Sequence, residues 1–442
     1  MAPQFTRYLL LVGTLFVSNI FGENSTNTVT GPTKRAEYAF YGLGQWYNTS
    51  TGIWETAGWW NSANIMTTVG NLALADPDNA HLQKLARRTF ANALCRAPAK
   101  NPDPDRESPS NRTSTSSRTA KPGTPYNKWL DPKTYQPHSS YPPNWSHHMT
   151  QHIDNTAQLV NDPKFDEAIL LNNFHPDPYD WVDGYYDDDL WWALAWIKAY
   201  DVTQHDIYLS LAEGIFSIVS DGWSTNCGGG GIYWSDERTY VNAIANELFF
   251  STAAYLATRC SNSAFYASWA TRSLTWFLGT GMINTEGTIN DGLNATCQNN
   301  NGDVWSYNQG VILGGLVQLN RAAPDPSYLA LATRIASAAL ANLSDATGVI
   351  HDPCEATDCG ADGTQFKGVL MRNLVELQKE VGGFDDALKV NADSIWTKDR
   401  DEEEGGSVFG VNWAGPYEGV ANASLQGSAI DGLVAGIGVG GY

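Results

Sequence analysis

Two kinds of helical segment alternate along this chain, and few architectures can house both. "LWWALAWIKAY" (190–200) and "GVILGGLVQL" (310–319) are apolar on nearly every face. "HLQKLARRTFANAL" (81–94) and "QHDIYLSLAEGIFSIV" (204–219) are apolar on one face only. A helix that is apolar all round must be buried all round, whereas a one-sided helix covers a surface. The alternation predicts an all-α fold with an inner ring of helices wrapped by an outer one, a double-ring helical barrel of about a dozen helices. Helical spacing runs through 57–75, 81–95, 205–220, 238–258, 263–278, 306–320, 327–342, 364–380 and 423–435, separated by Gly, Pro and Asn. Strand-like alternation is nearly absent, with "GGIYW" (230–234) a short exception, and no repeat of fixed period is present.

The ends and one internal stretch depart from this pattern. Arg7 precedes the apolar run "YLLLVGTLFVSNIFG" (8–22), so residues 1–22 read as a secretory signal peptide and 23–442 as a single domain. No later segment is apolar for long enough to cross a membrane. The C-terminal "LVAGIGVGGY" is too short and Gly-rich for a lipid-anchor tail. These features predict a secreted, extracellular protein with no membrane span, expected to be a monomer. Residues 98–145 hold half of the prolines and many Ser and Thr, the composition of a surface insertion.

A formal net charge of −20 argues against nucleic acid, because there is no basic surplus to displace counterions. Six cysteines suit an oxidising compartment. Cys354 and Cys359 bracket "CEATDC" and are expected to be bridged, while Cys95, Cys227, Cys260 and Cys297 allow three pairings. Asn24, Asn48, Asn111, Asn144, Asn294, Asn342 and Asn422 stand in glycosylation sequons and are expected at the surface. His, Cys and carboxylates nowhere gather at metal-ligand spacing, so neither a metal nor a cofactor is expected.

Chemistry concentrates at "YYDDDLWWALAW" (185–196). An Asp at a helix start caps free N–H groups and suits the positive end of the dipole. That accounts for one or two aspartates. Three in a row, Asp187, Asp188 and Asp189, put like charges side by side, which raises at least one pKa. Glycoside hydrolysis needs such an inequality, with one carboxylate ionised to attack the anomeric carbon and one carboxylic acid to protonate the leaving oxygen. Adjacent residues can hold their carboxyls about 5–6 Å apart, near the spacing that predicts retention of configuration.

The stretch "DGYYDDDLWWALAWIKAYD" (183–201) resembles the signature of glycoside hydrolase family 76, the endo-α-1,6-mannanases and their fungal cell-wall relatives. The likeness continues, in the family's order, through "AGWWNSANIMTTVGNL" (57–72), "CGGGGIYWSDERTYVNAIANELFF" (227–250), "VWSYNQGVILGGL" (304–316), "QFKGVLMRNL" (365–374) and "NWAGP" (412–416). The resemblance implies an (α/α)6 barrel whose chemistry falls to two consecutive aspartates. Counting back from Trp191-Trp192 selects Asp187 and Asp188, which the resemblance implies are nucleophile and general acid/base, with Asp188 and Asp189 the alternative pair.

Buried amides on apolar helices need partners, and sugar hydroxyls can serve as well as neighbouring loops. Asn242 and Asn246, and Tyr307, Asn308 and Gln309 at a helix start, are therefore candidate substrate residues, joined by Trp60, Asn61 and Lys367. The expected substrate is α-mannan polysaccharide or a mannoprotein glycan, cleaved within the chain at α-1,6 linkages with retention. "GIYWSDERTYVNAIANELFF" resembles the hydrolytic branch more than the cell-wall branch. Two other readings remain open here: a cell-wall transglycosylase acting on mannoprotein or lipid-anchor glycans, and a non-catalytic mannan-binding protein.

Overall fold

The computed structural model describes residues 31–103, 171, 174–401 and 408–439. Among these lie twelve α-helices: α1 (Pro32–Leu43), α2 (Trp59–Ala75), α3 (Ala80–Arg96), α4 (Tyr186–Thr203), α5 (Asp206–Ser220), α6 (Ala243–Ala257), α7 (Ser263–Gly279), α8 (Ser306–Ala322), α9 (Pro326–Leu343), α10 (Phe366–Val381), α11 (Asp385–Lys398) and α12 (Ala423–Ala435). The even-numbered helices pack side by side in sequence, and α12 closes the ring against α2. The odd-numbered helices lie outside them. The fold is an (α/α)6 barrel, with the double ring that the two kinds of helix predict and the sixfold form that the resemblance implies.

Burial follows the sequence pattern. The all-apolar α4 and α8 are inner helices, buried along almost their whole length. The one-sided α3 and α5 belong to the outer ring and bury a single face. Three glycines let α8 approach its neighbours closely. A Cβ on Gly310 would stand 2.6 Å from the Leu370 backbone on α10, and one on Gly315 would stand 2.5 Å from Phe250 and Ser251 on α6. Interiors packed at such density leave no room for an added methyl.

Each outer helix returns the chain, so the inner helices begin at one common end. Early turns accordingly lie beside early turns: Ser251 Oγ of α6 donates to the Val311 carbonyl of α8, and Gly368 N–H of α10 donates to Ser428 Oγ of α12. Amide side chains fasten this end to its loops. Asn246 accepts from Ile232 N–H and donates to its carbonyl. Gln309 does the same with Ile289, and Asn391 holds Ile350 N–H and the Gly348 carbonyl.

Several expectations change. "GGIYW" forms no ladder; both backbone groups of its Ile232 bond to the Asn246 side chain, and the one strand pair among the described residues joins Tyr47–Asn48 to Ile53–Trp54. The helix expected from 238 starts at Ala243, because the preceding residues bend into the rim of the barrel. Helices α1 and α11 were not legible as helices in the sequence. Cys354–Cys359 is bridged as expected, and Cys227 pairs with Cys297. Cys95 and Cys260 do not pair, so the even count does not become three bridges. Asn294 and Asn342 are exposed and Asn48 is half-buried. Asn422 is fully buried as the N-cap of α12, accepting from Leu425 N–H, so its sequon is closed to a glycan in the folded chain. Residues 1–22, most of the 98–145 insertion, and Asn24, Asn111 and Asn144 lie outside the described residues.

Candidate active site

The first turn of α4 carries all three aspartates, yet none caps the helix, whose N-cap Tyr185 makes no side-chain capping bond. Their carboxyls turn to different tasks. Asp189 is completely buried and accepts the Asp183 N–H at 2.8 Å, fixing the loop that leads into the helix. Asp183 in turn accepts Tyr185 N–H. Asp187 and Asp188 each keep 6% exposure at the open end of the barrel. Asp187 Oδ2 accepts the Trp234 indole N–H at 2.9 Å.

The electrostatics separate this pair. Burial pushes the Asp187 carboxyl up to about 8, opposed by the Trp234 hydrogen bond, which favours the ionised form. Burial also drives Asp188 well above the usual carboxylate range, and the neighbouring Asp183, Asp187, Asp362 and Asp189 carboxyls reinforce the shift. The two titrate as a unit. The Trp234 N–H favours charge on Asp187, while the like charges around Asp188 favour its proton.

Aromatic side chains and acids from distant loops complete the surroundings. Trp60, at the start of α2, stacks on Trp191 of α4 with centroids 5.9 Å apart and donates its indole N–H to Asp362 at 2.7 Å. Tyr307 of α8 lies face to face with Phe366 of α10, 3.8 Å between centroids. Burial and the charges of Asp291, Asp187, Asp362 and Glu247 hold the Tyr307 hydroxyl well above its ordinary pKa, so it stays a donor. Below the aspartates, Arg372 lies over the Trp191 ring and pairs with Asp431, closing the floor. Beneath that floor is a small cavity of about 40 Å³ along the barrel axis, lined in part by Trp191, Lys198, Ser251, Tyr255 and Glu376.

The candidate substrate residues divide. Trp60, Tyr307 and Asn308 sit at the cleft end of the inner helices, and Asn308 is fully buried with neither amide atom bonded to protein. The others are engaged within the protein. Asn61 accepts from Gly58 N–H and donates to Gln365. Asn242 caps α6 through Ala245 N–H, and Asn246 and Gln309 hold the loops described above. Lys367 bonds the Val411 carbonyl and Glu355, with Trp413 against its ammonium. Trp234, Asp183 and Asp362 surround the aspartates without having been singled out as candidates. Asp183 was within reach of sequence reasoning as a fourth acid in "DGYYDDD". Trp234 and Asp362 arrive from remote loops and carry no local signal. Among the described residues, no cluster of His, Cys, Asp or Glu is arranged to hold a metal ion, and no helix is long and apolar enough to cross a membrane.

The N-terminal end of the inner helices, where stacked tryptophans lie beside two inequivalent acids, is suited to a sugar chain. Comparison with known proteins agrees. The chain is 31% identical over 204 residues to a Schizosaccharomyces pombe relative, covering 42% of this chain and 46% of that one. It is 26% identical over 251 residues to the Candida albicans mannan endo-1,6-alpha-mannosidase DCW1, covering 50% of this chain and 55% of that one. The chain thus spans about half the length of the curated relatives it matches. Among solved structures, the GH76A alpha-1,6-mannanase of Salegentibacter aligns with a TM-score of 0.61 at 18% identity, over 92% of this chain and 99% of that one. Dfg5 of Chaetomium thermophilum aligns with a TM-score of 0.63 at 16% identity, over 94% and 92%. The sequence profile of Glycosyl hydrolase family 76 matches residues 148–436, and the chain belongs to that family.

Proposed function

We propose that this protein hydrolyses α-1,6-mannosidic linkages within mannan chains, with retention of configuration, and that it acts outside the cell. The observation that carries the reading is the inequality of Asp187 and Asp188. Asp187, facing the Trp234 N–H, is the nucleophile that attacks the anomeric carbon. Asp188, kept protonated by burial and like-charged neighbours, protonates the leaving glycosidic oxygen and then deprotonates the water that releases the sugar. Asp189 is committed to the Asp183 backbone and stands outside the reaction.

Relatives support the substrate. Several carry the name mannan endo-1,6-alpha-mannosidase, among them those of Candida albicans and Saccharomyces cerevisiae. An inactive variant of the Salegentibacter enzyme, with two consecutive aspartates changed to asparagine, was solved in complex with α-1,6-mannotriose. An extracellular setting fits the signal-like N-terminus and the two disulfides.

Incubation with linear α-1,6-mannan tests the reading. Reducing ends should accumulate for the wild-type chain. Asp187→Asn and Asp188→Asn should each lower kcat by about a thousandfold or more. Products longer than the starting oligosaccharide, without new reducing ends, would show transfer instead. Binding with no turnover from acid to neutral pH would contradict an enzyme.

A further inference from the structure

Glu247 is buried, carries two carboxyl oxygens with no hydrogen-bond partner, and has no part in the mechanism above. It lies in the second turn of α6, four residues before Ser251 and eight before Tyr255, both of which face the axial cavity. Side chains four apart share a helix face. Glu247 therefore faces the barrel axis one turn nearer the cleft. The neighbouring α8 places Asn308 at the same level, since Ser251 and Val311, one turn further along each helix, are hydrogen bonded. Both Asn308 amide atoms also lack a partner, and the residue is fully buried. Tyr307, beside Asn308, senses the charges of both Glu247 and Asp187, which ties this level to the reacting pair.

Buried polar side chains left unsatisfied destabilise a folded protein, since each loses its hydration without replacement. Elsewhere in the barrel the buried amides of Asn246, Gln309 and Asn391 all find backbone partners. Two unpartnered groups at one level of two contiguous inner helices, beside the reacting pair, point to a partner that arrives with the substrate. Resting on the reading of the chain as a mannan hydrolase, we propose that Glu247 and Asn308 together bind a vicinal pair of hydroxyls on the mannose held at the cleft floor. Burial and the nearby Asp291 push the Glu247 carboxyl well above the usual carboxylate range, which favours its neutral acid form. It then offers one O–H donor and one carbonyl acceptor, and Asn308 offers two donors and an acceptor. A neutral acid also adds no like charge to Asp187 when that residue ionises. A site built to hydrogen-bond hydroxyls rejects a sugar lacking them, because its own groups are then left unpaired.

The test compares wild type, Glu247→Gln, Glu247→Leu and Asn308→Ala, reading kcat/KM on α-1,6-mannotetraose, affinity for α-1,6-mannotriose and Tm without sugar. Gln reproduces a neutral donor–acceptor pair and should stay within about threefold of wild type. Leu and Ala should lower kcat/KM and affinity by about tenfold or more. Glu247→Leu should leave Tm unchanged or higher, since it removes an unsatisfied buried group. A Leu variant that keeps its mannotriose affinity, a Leu variant with a lowered Tm, or equal loss in Gln and Leu would each overturn the inference. A wild-type chain that binds no mannotriose overturns the mannan reading along with it, whereas wild-type binding with an unaffected Leu variant overturns this inference alone.

Discussion

The Trp234 indole N–H sets apart two carboxyl groups that are neighbours in sequence and almost equally buried. It donates to Asp187 and so favours that group's ionised form, the form needed for attack. Trp234→Phe removes the donor while keeping an aromatic ring. The Asp187 pKa should then rise further, and the base form becomes available only at higher pH. The acidic limb of the kcat/KM profile should shift alkaline by about one unit, with maximal kcat lowered by about tenfold. An unmoved limb would mean that the hydrogen bond does not tune the nucleophile. The aspartates were legible in the sequence because three like charges at the mouth of an apolar helix exceed what capping requires. Their partners were not, because Trp234 lies 47 residues away on a loop that only the closed barrel folds over the helix start. The amide residues show the same boundary. Burial told that Asn246 and Gln309 need partners, but only the structure identifies these as Ile232 and Ile289 rather than sugar.

At the scale of elements, the barrel depends on how closely its inner helices approach. Gly310 sits against the backbone of Leu370, which cannot retreat as a flexible side chain would. Gly310→Ala should therefore lower stability by about 1–3 kcal/mol, measured as a reduced denaturant midpoint with unchanged m-value, despite the better helix propensity of alanine. A stabilised variant would show that α8 and α10 are less tightly seated. The ring itself was legible from the two kinds of apolar pattern. Helix α11, "DDALKVNADSIWTK", escaped because charged and amide residues interrupt its pattern and it buries Asn391 and Ser394 alongside Leu388 and Ile395. The loop "GGIYW" misled in the opposite direction, since its Ile232 docks on α6 and its Trp234 on the start of α4 rather than pairing in a sheet.

The whole molecule buries acids while carrying a formal net charge of −20. Asp187, held up to about 8, and Asp352, held up to about 6 mainly by burial, both retain protons in the folded state at pH values where the unfolded chain has released them. The folded state then binds more protons than the unfolded one, so stability falls as pH rises from about 4 to about 8. Each such group contributes at most about 1.4 kcal/mol per pH unit inside its window. Tm should accordingly decline across that range, and the Asp187→Asn/Asp188→Asn double variant should show a shallower decline. A Tm that rises toward pH 8 would contradict the assigned burial of these acids. In the proposed reaction these same two acids cleave α-1,6-mannan by double displacement. Proton NMR of the reducing end during the first minutes of hydrolysis tests it most directly. With retention, the α-anomer appears first and the β-anomer grows in only through mutarotation. Initial release of the β-anomer, or no product from wild type, would contradict it.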